Sequence, residues 1–154
     1  MTLSNGDEAP LFEAMTDGVG KFSLSKTRGS NVILYFYPKD DTPGCTKEAC
    51  EFRDAFPDFS SLDAKIVGVS RDTVAKHDKF KAKYGLPFQL VADLDGSVCE
   101  AYGTWVEKSM YGKKYMGIER ATFLIDKQGV IRGIWRKVKV KGHVEEVLNA
   151  SRSI

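Results

Sequence analysis

Residues 31–37 read NVILYFY and end at Pro38. After Asn31 every side chain is apolar or aromatic on both faces, the pattern of a central strand covered on each side by another layer. Residues 38–50 follow as PKDDTPGCTKEAC. Thr42 and Pro43 form an N-cap and N1 pair, so a helix is predicted from about Pro43. Ala49, Phe52, Phe56 and Phe59 recur at helical spacing behind it, and Pro57 is predicted to kink or break the helix. A buried strand running into a helix N-terminus puts this junction at a strand's carboxyl end, where open α/β sheets hold their ligands.

Outward from this core, residues 11–15 and 21–24 flank the turn TDGVG and read as a small N-terminal hairpin. Residues 65–70, KIVGVS, form a second buried strand, residues 73–84 a helix stopped by Gly85, and residues 88–92 a short strand. A short helix over residues 97–102 ends at Gly103. Residues 121–125 and 130–135 form a hairpin, and a last helix spans roughly residues 143–150. Strand and helix alternate first, with a hairpin and helix last. That order predicts an α/β, thioredoxin-like fold: a mixed central sheet flanked by helices, with an N-terminal β-hairpin extension. No repeat or linker interrupts it, so residues 1–154 read as one domain.

Composition narrows the function. Apolar residues make up 42 % of the 154 and charged residues 29 %, a globular balance. The 23 Lys and Arg against 21 Asp and Glu leave a charge of +2, which argues against nucleic acid as partner. Lys127, Arg132, Arg136, Lys137, Lys139 and Lys141 alternate with valines and read as a solvated strand face. The longest apolar run, Val32–Tyr37, falls far short of the roughly 18 residues of a membrane span. The acidic N-terminus shows no signal peptide, so a cytoplasmic, membrane-free protein is expected.

Three cysteines, Cys45, Cys50 and Cys99, do not suit a disulfide scaffold. Cys45 is the third residue of the predicted helix, where free amides and the positive dipole end stabilise a thiolate. The competing reading is a small buried hydrophobe. Cys50 tilts the balance toward redox chemistry, yet in an intact helix the two Cα atoms lie ~8–9 Å apart on opposite sides. A disulfide needs less than about 7 Å, so any bond between them requires the helix to unwind locally. Cys99 reads as core packing. His77 and His143 read as lone surface residues on helices.

Pro38-x-x-x-Thr42-x-x-Cys45, with Cys50 five residues on, resembles the peroxidatic motif of peroxiredoxins, specifically the bacterioferritin comigratory, or Q-type, group. Residues 6–10 (GDEAP), 35–39 (YFYPK), 98–103 (VCEAYG) and 120–126 (RATFLID) match in the same order along nearly the whole chain. The resemblance implies a thiol peroxidase in which the Cys45 thiolate attacks hydrogen peroxide or an organic hydroperoxide. Cys50 then resolves the sulfenic acid as an intramolecular disulfide, and thioredoxin or a glutaredoxin-like dithiol restores the thiols. It implies no metal, haem or flavin, and often a monomer. It casts Arg120, otherwise a solvated strand-end residue, as the positive charge beside the thiolate, and Pro38 as a lid. Thr42 is expected to donate its hydroxyl proton to the site while accepting a capping bond from the Cys45 amide. Trp105 stands where the family often has an aromatic bordering the active site. Two alternatives stay open: a zinc or other soft-metal module in which Cys99 or a histidine joins Cys45 and Cys50, and a general disulfide oxidoreductase, although the Cys-x-x-Cys spacing is absent.

Overall fold

A computed structural model describes residues 2–154. Seven strands form one sheet: β1 (Glu13–Thr16), β2 (Gly20–Ser23), β3 (Asn31–Phe36), β4 (Ala64–Ser70), β5 (Gln89–Ala92), β8 (Ala121–Ile125) and β9 (Ile131–Trp135). Their order across the sheet is β2-β1-β5-β4-β3-β8-β9. β3, β4 and β5 run parallel, while β8 pairs antiparallel with β3 and β9 with β8. The N-terminal hairpin joins the sheet as its edge, through antiparallel pairing of Thr16 with Val91.

β3 is buried at all six positions, and its alternation explains why its sequence lacks a polar face. Val32, Leu34 and Phe36 enter one core layer with Val98, Cys99, Tyr102 and Phe123. Ile33 and Tyr35, with Tyr37 just beyond, enter the other, with Cys45, Ala49, Phe52, Phe80 and Val147. The second layer is roofed by α1 (Pro43–Ser61), α2 (Val74–Tyr84) and α4 (His143–Arg152), and the first by α3 (Ser97–Ala101) and the N-terminal segment. Among the described residues no helix is long and apolar enough to cross a membrane.

Several expectations need correction. α1 continues through Pro57 to Ser61. Pro57 lies on the exposed side, where water can bond the carbonyl it leaves without a donor, while Phe52 and Phe59 hold the opposite face in the core. A two-stranded ribbon, β6 (Trp105–Met110) and β7 (Lys113–Ile118), has no counterpart in the sequence reading. His77 and His143 are buried at 0 % and 3 % exposure, on the core-facing sides of α2 and α4. The basic cluster is no strand face. Lys137, Lys139 and Lys141 lie beyond β9, and Arg136 bonds the carbonyls of Tyr102 and Gly103.

Candidate active site

The β3–α1 junction assembles the site. Thr42 is extended at the N-cap and Pro43 opens the helix, as their residue types dictate. The cap itself differs from expectation: no side chain caps α1. The Thr42 hydroxyl instead donates to the Lys39 carbonyl at 2.9 Å, which tightens the loop before the helix. The first intrahelical bond runs from the Thr46 amide to the Thr42 carbonyl. The amides of Gly44 and Cys45 are thereby left as donors at the positive end of the helix.

Cys45 is 2 % exposed, and its Sγ accepts a hydrogen bond from Arg120 Nη2 at 3.3 Å. Arg120 immediately precedes β8, the strand hydrogen-bonded to β3, and this neighbour relation brings residues 75 apart in sequence into contact. Gly44 makes room for it: a Cβ there would sit 3.2 Å from Arg120 Nη2. The other arm of the guanidinium, Nη1, pairs with Glu48 Oε1 at 2.6 Å. Glu48 is fully buried, and its Oε2 has no hydrogen-bond partner. Burial pushes its carboxyl up to about 7, with Arg120 opposing the rise. The Tyr35 hydroxyl in the same layer is likewise unpartnered, and burial followed by the charges of Glu48 and Cys45 raises its pKa well above the phenolic range.

Behind Arg120, His143 Nε2 meets the Thr122 hydroxyl at 2.7 Å. Burial, then the Arg120 charge, lowers His143 to about 4, so the ring is neutral at ordinary pH. Its edge packs on Phe52 and Trp135. Pro38 is exposed and lines a cleft of about 490 Å³ with Lys39, Arg71, Leu94, Trp105, Lys108 and residues 115–118 of β7. Trp105 stacks on the Arg71 guanidinium at 4.6 Å. Lys108, absent from the sequence reading, has its pKa lowered by burial and then by Arg120, with Cys45 opposing, so this cleft reaches the charges of the site.

Cys50 is half-buried on the intact helix, and all three cysteines are free. Cys99 lies in the opposite core layer, its thiol pushed up by burial and then by Asp93. That is the chemistry of packing. The one converging trio of metal-ligand type among the described residues is Asp40, Asp72 and His77. It contains no cysteine, so the soft-metal module built on Cys45 and Cys50 is not assembled. Glu48 escaped the sequence reading although it stands three residues after Cys45, on the same helix face.

A thiol at a helix N-terminus, bonded to a partly buried arginine on a thioredoxin-like sheet, defines a class of thiol-based redox protein. The chain belongs to the AhpC/TSA family, whose model matches residues 5–134. It is 51 % identical to the peroxiredoxin Bcp of Bacillus subtilis over 154 residues, covering all of this chain and 98 % of that one. It is 40 % identical to the Escherichia coli peroxiredoxin Bcp, with 96 % and 94 % covered. A structure of a cysteine-to-serine mutant of Xylella fastidiosa PrxQ superposes with a TM-score of 0.94 at 42 % identity, covering 99 % and 98 % of the two chains. The Xanthomonas campestris bacterioferritin comigratory protein, described with an alkyl peroxide reduction activity, gives 0.88 at 45 %, covering 92 % and 90 %. Within its family the chain thus falls among the peroxiredoxins of the bacterioferritin comigratory type, thiol-dependent peroxidases.

Proposed function

We propose that Cys45 is the peroxidatic nucleophile, Arg120 its electrostatic partner and Cys50 the resolving thiol. The observation that carries this reading is the 3.3 Å bond from Arg120 to Cys45 Sγ at an uncapped helix N-terminus. The Cys45 thiolate attacks one peroxide oxygen and the O–O bond breaks. The sulfur becomes a sulfenic acid, and the departing oxygen takes a proton to leave as water or an alcohol. Charge moves from sulfur to oxygen, and the donors available to stabilise it are Arg120, bonded to Sγ at 3.3 Å, and the free amides of Gly44 and Cys45. With its proton committed to Lys39, the Thr42 hydroxyl keeps lone pairs that accept the hydroperoxide O–H. Pro38 contributes a wall without an N–H of its own to the mouth of the cleft.

Cys50 attacks the sulfenic sulfur and water leaves, giving the intramolecular disulfide. Because α1 is intact from Pro43, this step unwinds its first turns. A thioredoxin, or a glutaredoxin-like dithiol, then takes the disulfide in exchange. Hydrogen peroxide and organic hydroperoxides both serve as substrates. Residues 1–154 act as a single catalytic unit, a monomer, and the cytoplasm supplies the dithiol. The test is peroxide-dependent oxidation of thioredoxin by the wild type and by Cys45→Ser, Cys50→Ser and Cys99→Ser. Loss of turnover in Cys45→Ser with retention in Cys99→Ser is expected. Turnover surviving in Cys45→Ser would overturn the assignment.

A further inference from the structure

The loop from Pro38 to Thr42 carries the cleft wall and sets where α1 begins, yet it has no strand or helix of its own. What holds it is α2. Asp40, at the middle of the loop, is buried. Its Oδ1 accepts from the Tyr37 hydroxyl, its backbone N–H donates to Asp72 Oδ2 at 2.8 Å, and its Oδ2 lies 2.6 Å from His77 Nδ1. His77, on α2, is sealed from solvent. Its Nε2 meets the Val91 carbonyl at 2.9 Å, and since a carbonyl only accepts, that nitrogen carries a hydrogen. A proton also lies between Nδ1 and the Asp40 carboxylate. Burial works against a charged ring, but the Asp40 bond and charge, the Val91 bond and the Asp72 charge together raise the His77 pKa.

Asp72 is itself tied down by the Ser70 hydroxyl. The next loop residue, Asp41, takes a left-handed backbone at φ 56°, a conformation that persists only under constraint. Its carboxylate is gripped by Lys83 and Tyr84 of α2 at 2.8 and 2.7 Å. Both loop carboxylates are therefore anchored to one helix that touches neither Cys45 nor Arg120 through any hydrogen bond.

We propose that His77 is a positioning residue for the peroxide reaction: through its bond to Asp40 it fixes the Pro38–Thr42 loop, and with it the placement of the Cys45 helix turn. The inference rests on the reading of Cys45 as peroxidatic nucleophile. The buried ring makes two bonds, and only one of them reaches the loop, so the two can be separated. His77→Asn keeps a donor near Nδ1, toward Asp40, and loses the one toward Val91. His77→Gln keeps a donor near Nε2, toward Val91, and loses the one toward Asp40.

The experiment is stopped-flow measurement of Cys45 oxidation by hydrogen peroxide in wild type, His77→Asn, His77→Gln and Cys45→Ser, with thermal melting of each. His77→Asn should keep the second-order rate constant within about twofold, and His77→Gln should lose about tenfold or more, as misplacements near 1 Å do. Both variants should melt below the wild type, His77→Gln the lower because it leaves the buried Asp40 carboxylate without its partner, so the rates are measured where each variant is shown to be folded. With both variants folded at the assay temperature, a rate constant lower in His77→Asn than in His77→Gln would overturn the proposal. Equal rates in both variants would overturn it too. A wild type that does not react, or a Cys45→Ser variant that still does, would remove the underlying reading, a result distinct from either.

Discussion

Glu48→Gln isolates the electrostatics of the site. The carboxyl is fully buried and is held from 4.5 up to about 7, so the native state prefers its protonated form. Below pH 4.5 the native and unfolded chains both hold the proton and the burial carries no charge penalty. As pH rises from 4.5 to 7, the unfolded chain releases the proton first, and the native state loses stability relative to it. At about 1.4 kcal/mol per pH unit, the ionised carboxylate costs about 3 kcal/mol above pH 7. Glutamine keeps an acceptor for Arg120 Nη1 and removes the titration. The variant should gain on the wild type by about 2 to 3 kcal/mol between pH 5 and pH 8. Urea unfolding of both proteins with thiols kept reduced, at four pH values, reads this difference, and the other buried titrating groups, His77 and His143, cancel in it. A difference flat to within about 0.5 kcal/mol over that range would refute the reasoning.

Arg120→Met should slow the peroxide reaction about 10²-fold, as loss of one transition-state donor does. It also strands Glu48, so its stability cost should be larger at pH 8 than at pH 6, which urea titration at both values checks. In Cys50→Ser the sulfenic acid has no near partner, so excess peroxide should drive Cys45 to the sulfinic acid, seen as two added oxygens by intact-mass spectrometry. Oxidation of the wild type should speed amide exchange in residues 44–51 and leave β3 protected. Equal protection of residues 44–51 in both redox states would remove the unwinding step.

The parts of the fold legible in the sequence were those whose pattern is local. NVILYFY could only be a strand between two layers, and Thr42, Pro43 and Gly85 mark helix ends by backbone chemistry alone. The β6–β7 ribbon was illegible because it is largely exposed on both faces, so no alternation of apolar and polar residues marks it. Tyr111-Gly112 at its tip, both at positive φ, is the one local signal it leaves. His77 and His143 were misplaced because a histidine's burial depends on partners far away in sequence, Asp40 and Thr122. Arg120 came from resemblance rather than spacing. Its contact with Cys45 depends on which strand neighbours β3, a property of topology and not of either segment.

The central sheet separates two interiors, and only one of them would be disturbed by the disulfide proposed between Cys45 and Cys50. Ala49 and Phe52 lie on the α1 side, whereas Val98, Cys99 and Tyr102 pack on the other. The free energy holding α1 against the sheet is present in the dithiol and would be forfeited in that disulfide, so it would enter the reduction potential directly. For a two-electron couple, about 1.4 kcal/mol of helix packing is worth about 30 mV. A tighter contact at Phe52 makes the oxidised enzyme easier for a dithiol to reduce, and a looser one makes it harder. The same change of volume around Tyr102 stabilises or destabilises both redox states alike. In the proposed cycle, side chains that never meet peroxide would thus set how strongly the oxidised enzyme pulls electrons from its reductant, and the sheet decides which side chains those are.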